Sequence, residues 1–314
     1  MRIRLGSRGS PLALAQSELV ARLLAQTTGA DFANFPIEPF TTSGDRIQDR
    51  KLIEAGGKGL FTKELDEALL AGRIDAAVHS MKDLPTKLPD GIALACVPAR
   101  EDPRDAFVSH RAKDLMSLPE GAVIGTASLR RQAQTLHLRP DLKVVTLRGS
   151  VQTRLKKLES GEIDATYLAF AGLKRLGLAD KATSLIETDA MPPAPGQGAL
   201  AITCRADDNA TLQALRHVNI AEFDIATVAE RAFLSALDGS CRTPIAALAK
   251  IDDRSLSFIG EFLSLDGKRC WRRIANIRID ADGYANAEAL GCKLGIEIRA
   301  EAGNDFQPKK MNGW

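Results

Sequence analysis

Strand-like apolar runs and helix-length segments alternate through the first two thirds of the chain, and few folds accommodate that rhythm. Residues 3–6 read as a strand. Ser10-Pro11 then reads as an N-cap followed by proline at the first helical position, opening a helix to about residue 28 that Gly29 stops. A strand at 37–40, a short amphipathic helix at 62–71 ended by Gly72, and a buried strand at 76–78 complete the first set. The second set has strands at 105–109, 122–126, 144–147 and 165–170. Between them, Ser128 caps a helix over 129–138 and Ser150 caps one ending at Gly161. Such repetition predicts largely parallel sheets with helices on both faces.

Two breaker-rich stretches, 98–103 and 191–196, bracket the second set and read as linkers. The strand expected at 199–204 follows the second linker and returns the chain toward the first set. From about residue 221 the character changes. A helix at 221–237 precedes antiparallel strands near 245–251, 255–262 and 269–279, and a helix over 285–300 closes the chain. The expected class is α/β: two hinged periplasmic-binding-protein-like α/β domains plus a smaller C-terminal α+β domain, by analogy with bacterial solute-binding proteins. The expected boundaries are 1–98 with 199–216, then 104–192, then 221–314.

A chain of 314 residues can build several cores, and 45% hydrophobic with 26% charged residues is ordinary for a globular protein. No apolar run reaches membrane length. The start, Met1-Arg2-Ile3-Arg4, enters a strand pattern with no apolar leader, so a cytoplasmic protein is expected. A net charge of +2 argues against a nucleic-acid coat protein. The five cysteines are far apart, with no C-x-x-C, which reads as free thiols; the four histidines show no metal-ligand spacing.

Arginines carry the chemistry. Arg8 follows the first strand, Arg130 and Arg131 open a helix, and Arg148 follows a strand. Arg154 lies in the first turn of the next helix, and Arg175 follows Gly172-Leu173-Lys174. Helix N-termini already favour anions, and the guanidinium fork fits carboxylates. Any one of these residues reads equally well as surface charge. Together, near strand ends bordering one expected cleft, they point to an anionic ligand.

The segment Val78-His79-Ser80-Met81-Lys82-Asp83-Leu84-Pro85-Thr86 sets a cation beside a carboxylate at the end of a buried strand, where open α/β sheets place their chemistry. Asp83 suits proton transfer to a leaving amine or stabilisation of a developing cation; a turn-capping aspartate is the plainer alternative. His79 and Ser80 are adjacent on a strand and point to opposite faces, which excludes a hydrolase triad. Gly56-Gly57-Lys58-Gly59-Leu60-Phe61 lacks phosphate-loop spacing and reads either as a plain turn or as a lid carrying Lys58 and Phe61. Gly196-Gln197-Gly198-Ala199-Leu200-Ala201 precedes a strand and has no dinucleotide-binding context. Cys241, in a loop beside Arg242, suits a nucleophile or an attachment point, whereas Cys96 and Cys204 sit in apolar runs.

The chain resembles the porphobilinogen deaminase (hydroxymethylbilane synthase) family along nearly its whole length. The matching runs are 7–14, 56–61, 78–85, 100–107, 125–131, 147–154, 171–178, 195–200 and 237–245; the match loosens past about residue 250. The resemblance implies a transferase of tetrapyrrole biosynthesis that joins four porphobilinogen molecules head to tail into hydroxymethylbilane, losing ammonia at each step. It implies one covalent dipyrromethane cofactor per chain, held as a thioether on Cys241. It makes Asp83 the catalytic carboxylate. Lys82, Asp83, Ser128, Arg130, Arg131, Arg148 and Ser150 would hold the cofactor. Arg8, Ser10, Lys58, Phe61, Arg148, Arg154 and Arg175 would bind substrate. Ser150, Ala127, Ser240 and Pro195 stand where Asn, Ser, Gly and Val are frequent, and none of these departures removes a charged group. The implied partner is porphobilinogen, with no nucleic acid, membrane or metal, and the chain is expected to be a monomer. The alternative function is a non-catalytic binding protein for a small polycarboxylate. A cysteine hydrolase would need a histidine-centred partner that no motif supplies.

Overall fold

The computed structural model describes residues 2–46, 60–237 and 243–306. The first run of elements is β1 (Leu5–Arg8), α1 (Pro11–Thr28), β2 (Ile37–Phe40), α2 (Ser43–Arg46), α3 (Lys63–Leu70), β3 (Ala76–Ser80) and β4 (Ile92–Cys96). The second is β5 (Asp105–Ser109), β6 (Val123–Gly125), α4 (Leu129–Leu138), β7 (Lys143–Val145), α5 (Val151–Glu159), β8 (Ala165–Ala169), α6 (Phe170–Arg175) and β9 (Ser184–Ile186). Then come β10 (Leu200–Arg205), α7 (Asn209–Arg216), α8 (Ala221–Ala236), β11 (Ile245–Asp252), β12 (Ser255–Leu263), β13 (Cys270–Arg278) and α9 (Gly283–Ala302).

Helix α1 shows how local sequence sets these elements. The Ser10 hydroxyl accepts a bond from the Ala13 N–H, Pro11 fills the first turn, and Gly29 ends the helix in the left-handed conformation at φ 68°. Its buried residues, among them Ala13, Ser17, Val20, Ala21 and Leu24, recur every three or four positions and pack on the strands beneath.

Two five-stranded sheets form, ordered β2-β1-β3-β10-β4 and β7-β6-β8-β5-β9. Each is mixed where a largely parallel sheet was expected. In the first, β10 runs antiparallel to both β3 and β4; in the second, β5 runs antiparallel to both β8 and β9. The reason is the path of the chain. β5 and β10 are the strands entered directly after the 98–103 and 191–196 crossings, so each starts at the hinge end of its sheet. The other strands start at the far end and run toward the hinge. Register in the first sheet pairs Val78 with Ile202 and Ser80 with Leu200, so β3 ends beside the second crossing.

A three-stranded antiparallel meander, β11-β12-β13, forms a third, smaller lobe with α8 and α9. Phe233, Phe258, Leu290 and Leu294 lie at its core. The last helix runs from 283 to 302, longer at both ends than expected. At Gly291 a Cβ would lie 2.1 Å from the Ala229 carbonyl oxygen, so its glycine lets α8 and α9 approach to backbone contact. β4, α6, α7 and β9 were not anticipated; each is short enough for tertiary packing to decide it.

Both crossings are tied to the third lobe at one point. Arg100 and Glu230 form a paired-fork salt bridge, with Nη1–Oε1 at 2.6 Å and Nη2–Oε2 at 3.2 Å and side chains 5% and 0% exposed. Glu230 also accepts from the backbone N–H of Gly196 at 2.6 Å and of Ala249 at 2.8 Å. Arg100 Nε donates to the Gln197 carbonyl at 2.9 Å. Truncating one partner of such a pair leaves a buried charge uncompensated. Glu230→Ala is therefore expected to cost about 3–5 kcal/mol, measured as a lowered urea midpoint; an unchanged midpoint would show that the crossings are held otherwise.

Candidate active site

The end of β3 is where the site begins. Its residues are buried up to His79, and Ser80 then leads into a single 3₁₀ turn, Met81–Asp83. The turn is fixed from three directions. The Met81 N–H donates to Ala199 O at 3.0 Å, and the Leu84 N–H donates back to Met81 O at 3.1 Å. From the third lobe, Arg231 Nη2 donates to the carbonyls of Pro85 and Thr86 at 2.9 and 3.0 Å. With Met81 buried, Lys82 and Asp83 are presented on one short, immobilised segment.

Asp83 is 35% exposed and lies 4.0 Å from Arg8 Nη1. The Arg8 guanidinium stacks over the Phe61 ring, 4.3 Å from its centroid. These residues, with Ser10, Thr62, His79 and Ser80, line an open cleft. A second compartment shares Leu12, Gln16 and Ser80 with the first and adds Lys82, Gly172, Arg175 and Gly198. The two together run between the first and second sheets. His79 and Ser80 point to opposite sides as expected: His79 Nε2 meets Thr203 Oγ1 at 3.2 Å, while Ser80 exchanges hydrogen bonds with the buried Gln16.

The cationic wall comes from the second lobe. Arg130 Nη1 and Arg131 Nη2 donate to the two oxygens of Asp105 at 2.8 and 2.7 Å, with all three side chains buried. Burial pushes Asp105 up, but the two guanidinia outweigh it and hold its carboxyl well below the usual carboxylate range. Lys82 Nζ approaches Gln197 Oε1 at 3.4 Å, and Gln197 Nε2 donates to Asp105 at 2.9 Å. Burial brings Lys82 down to about 8; Asp83 opposes this and Arg131 adds to it. Arg154 is pushed down to about 10 by burial, with the nearby charges of Arg131 and Arg148 adding to it. Burial does the same to Arg175, whose Nη2 donates to Gly198 O at 2.7 Å.

Positive charge exceeds negative charge here. Asp105 is shared by two guanidinia, while the Nε atoms of Arg130, Arg131, Arg148 and Arg175 are buried with no hydrogen-bond partner among the described residues. Unpartnered buried donors on cations are costly, and an anionic ligand relieves that cost. The candidate serines are all helix N-caps: Ser10, Ser128 and Ser150 accept from the N–H groups of Ala13, Arg131 and Thr153. The hydroxyl protons of Ser10 and Ser128 remain to donate elsewhere, while the Ser150 hydroxyl also bonds the Thr153 hydroxyl at 3.0 Å. The residues present fit a ligand rich in carboxylates.

Arg8, Ser10, Phe61 and Asp83 share the first compartment, Lys82 and Arg175 the second, and Arg130, Arg131, Arg148 and Arg154 form the adjoining cationic cluster. Ser128 and Ser150 start the helices that carry Arg130, Arg131 and Arg154. Lys58 and Cys241 lie outside the described residues. Sequence reasoning missed Asp105, Gln197, Gln134 and Gln16 as site supports. For Asp105 a signal existed, because a carboxylate heads the apolar run Asp105-Ala106-Phe107-Val108. The glutamines gave none.

A family model described as porphobilinogen deaminase, dipyromethane cofactor binding domain, matches residues 3–213, and one described as porphobilinogen deaminase, C-terminal domain, matches residues 225–300. A protein named porphobilinogen deaminase from Caulobacter vibrioides (strain NA1000 / CB15N) is 54% identical over 311 residues, covering 96% of each chain. One of the same name from Phenylobacterium zucineum (strain HLK1) is 52% identical over 313 residues, covering 96% of this chain and 97% of its own. Among solved structures, a putative methionine-binding lipoprotein from Bacillus subtilis is 17% identical with a TM-score of 0.42, covering 69% of this chain and 89% of its own.

His79 supplies a pH test. Burial, with the Arg8 cation nearby, pushes it down to about 4. Its preference for the neutral form stabilises the fold fully above the unfolded value near 6.5 and is lost as pH falls from there toward 4. About 2 kcal/mol of that contribution should be gone by pH 5. His79→Gln should therefore show a smaller drop in urea midpoint between pH 7 and pH 5 than the unaltered chain. Equal drops would place the acid sensitivity elsewhere.

Proposed function

We infer the function from this premise: the chain belongs to the porphobilinogen deaminase family. It is a transferase that condenses four porphobilinogen molecules head to tail into hydroxymethylbilane, with release of ammonia, in tetrapyrrole biosynthesis. Its cofactor is dipyrromethane. When bound, that group supplies the free pyrrole carbon from which the chain of rings is extended.

The observation that carries the residue assignments is one accessible carboxylate, Asp83, set against a wall of arginines whose buried Nε atoms lack partners. Porphobilinogen brings an acetate, a propionate and an aminomethyl group on one flat ring. Its carboxylates suit Arg8, Arg148, Arg154 and Arg175, with Ser10 donating from the α1 terminus and Phe61 lining the same cleft; Lys58 is assigned to substrate by the family resemblance alone. The cofactor's carboxylates suit Lys82, Arg130, Arg131, Arg148, Ser128 and Ser150. Asp83 is left as the group that faces the reacting carbon. Breaking the carbon–nitrogen bond sends its electron pair to the departing amine and leaves positive charge on the ring, next to a carboxylate fixed in place. That carboxylate stabilises the cation and exchanges the proton lost when the new carbon–carbon bond restores aromaticity. Cys241 is the attachment point for the cofactor. The grouping of the strands into three sheets supports domain boundaries of 1–98 with 199–216, 104–192, and 221–314.

No helix among the described residues is long and apolar enough to cross a membrane. Cytoplasmic residence as a monomer fits five scattered cysteines and the absence of a long apolar stripe.

Intact mass under denaturing conditions tests the reading. The purified chain should exceed its sequence mass by a two-pyrrole unit, and Cys241→Ser should lack the increment. A bare mass that stays bare after incubation with porphobilinogen would refute it. Asp83→Asn should lower kcat by about 10²-fold or more with little change in thermal stability, since Asp83 lies at the open edge of the cleft. Near-normal turnover would remove Asp83 from the chemistry.

A further inference from the structure

We propose that Gln134 and Glu261 act as a positioning relay, by which the third lobe aims Arg130 at the bound carboxylates without neutralising it. The proposal rests on the function inferred above. Gln134 lies one helical turn after Arg130 on α4, and both are buried. Its Oε1 accepts from Arg130 Nη1 at 2.9 Å. Its Nε2 donates to Pro192 O at 3.0 Å and to Glu261 Oε2, also at 3.0 Å. Glu261 stands on β12, is 1% exposed, and is held in turn by Arg272, which also donates to Asp189 O at 2.8 Å.

Only one orientation of the amide satisfies these neighbours. A guanidinium can only donate and a carboxylate can only accept, so the oxygen must face Arg130 and the nitrogen must face Glu261. The amide thereby carries a hydrogen-bonded link from one charge to an opposite one while keeping them apart. Arg130 Nη1 is occupied by Asp105, Gln134 and Pro192 O, and its Nε is left buried with no partner among the described residues. The guanidinium is thus held through Nη1, while its Nε still lacks a hydrogen-bond acceptor among the described residues.

Charge explains why an amide serves here. Arg130 and Arg131 share Asp105, which leaves the trio one net positive charge. A carboxylate at position 134 would hold Arg130 equally well and cancel that charge. The third lobe is meanwhile locked to the same helix. His137 Nδ1 bonds to Gly267 O at 2.8 Å, and at Gly267 a Cβ would lie 2.5 Å from the His137 backbone nitrogen. The β12–β13 hairpin thus seats directly on α4 and fixes Glu261 relative to Arg130.

The exchanged pair Gln134→Glu with Glu261→Gln keeps total charge and most of the hydrogen bonds but moves the carboxylate onto Arg130. It should unfold at a similar urea midpoint, carry the two-pyrrole increment on about tenfold fewer chains, and show KM for porphobilinogen raised about tenfold with kcat little changed in the loaded fraction. Gln134→Met, which is neutral but cannot hold Arg130, should raise KM without that loss of loading. An exchanged pair loaded like the unaltered chain would overturn the charge argument, and a Gln134→Met variant with unaltered KM would overturn positioning. If the unaltered chain itself carried no increment and consumed no porphobilinogen, the functional reading would fail first.

Discussion

Glu230 accepts four hydrogen bonds, two from Arg100 and one each from the backbones of Gly196 and Ala249. Those donors belong to the first crossing, the second crossing and the third lobe's sheet. A carboxylate with no exposure requires all four, because in a low dielectric each missing partner costs several kcal/mol. Both crossings are therefore held to the third lobe through one anion. The third lobe also reaches the first through Arg231, which donates to Pro85 O and Thr86 O, and the residues leading into α8 add another tie, where the Val97 N–H donates to Asn219 Oδ1 at 2.7 Å and its carbonyl accepts from Ile220 N–H at 3.0 Å. It is the bracket on which both lobes are mounted, and the cleft between them inherits its geometry from it.

Within that frame the site is built on deliberate electrostatic imbalance. Structural ion pairs elsewhere in the chain are matched: Arg4 with Asp75, Arg139 with Asp141, Arg205 with Asp208. In the cleft, burial pushes Lys82, Arg154 and Arg175 down from their ordinary values, a sign of cations without enough counter-charge. A substrate that brings two carboxylates with each added ring supplies that charge, and the more rings are held, the more of it is supplied. The same imbalance explains why Asp83 stays at the open edge. A carboxylate drawn fully into the cluster would be locked as a counter-ion, as Asp105 is, and could not attend to the reacting carbon.

Much of this was legible in the sequence for local reasons. Ser10-Pro11, Ser128 and Ser150 announce helix starts because capping is a contact between residues three apart. The break after Ser80 is announced by Pro85, and the arginines by their place at strand ends. What escaped depends on distant neighbours. The direction of β5 and β10 follows from which end of a sheet the hinge enters, which no window of sequence contains. Asp105 reads as a strand residue until Arg130 and Arg131 fold onto it. The lysine of the 82–83 pair looks free until Gln197, more than a hundred residues away, is seen against it. By its motifs the match to the family loosens past about residue 250, yet the C-terminal family model runs to residue 300, and Glu261 and Gly267 there hold the helix that carries two of the site's arginines.

The carboxamides resolve a conflict inherent in such a site. Cations must be held still to bind a ligand in a fixed register, but the strongest way to hold a cation is a carboxylate, which removes the charge the ligand needs. Gln197 answers this for Lys82, accepting from its ammonium while donating to Asp105 and to Pro103 O at 2.7 Å. Gln134 answers it for Arg130 between Pro192 O and Glu261. Each amide takes its orientation from an anion or carbonyl behind it and passes on only a dipole. One carboxylate, Asp105, is shared by two arginines, and amides complete the hold on the cations, so the positive charge is ordered but only partly cancelled where the rings must lie.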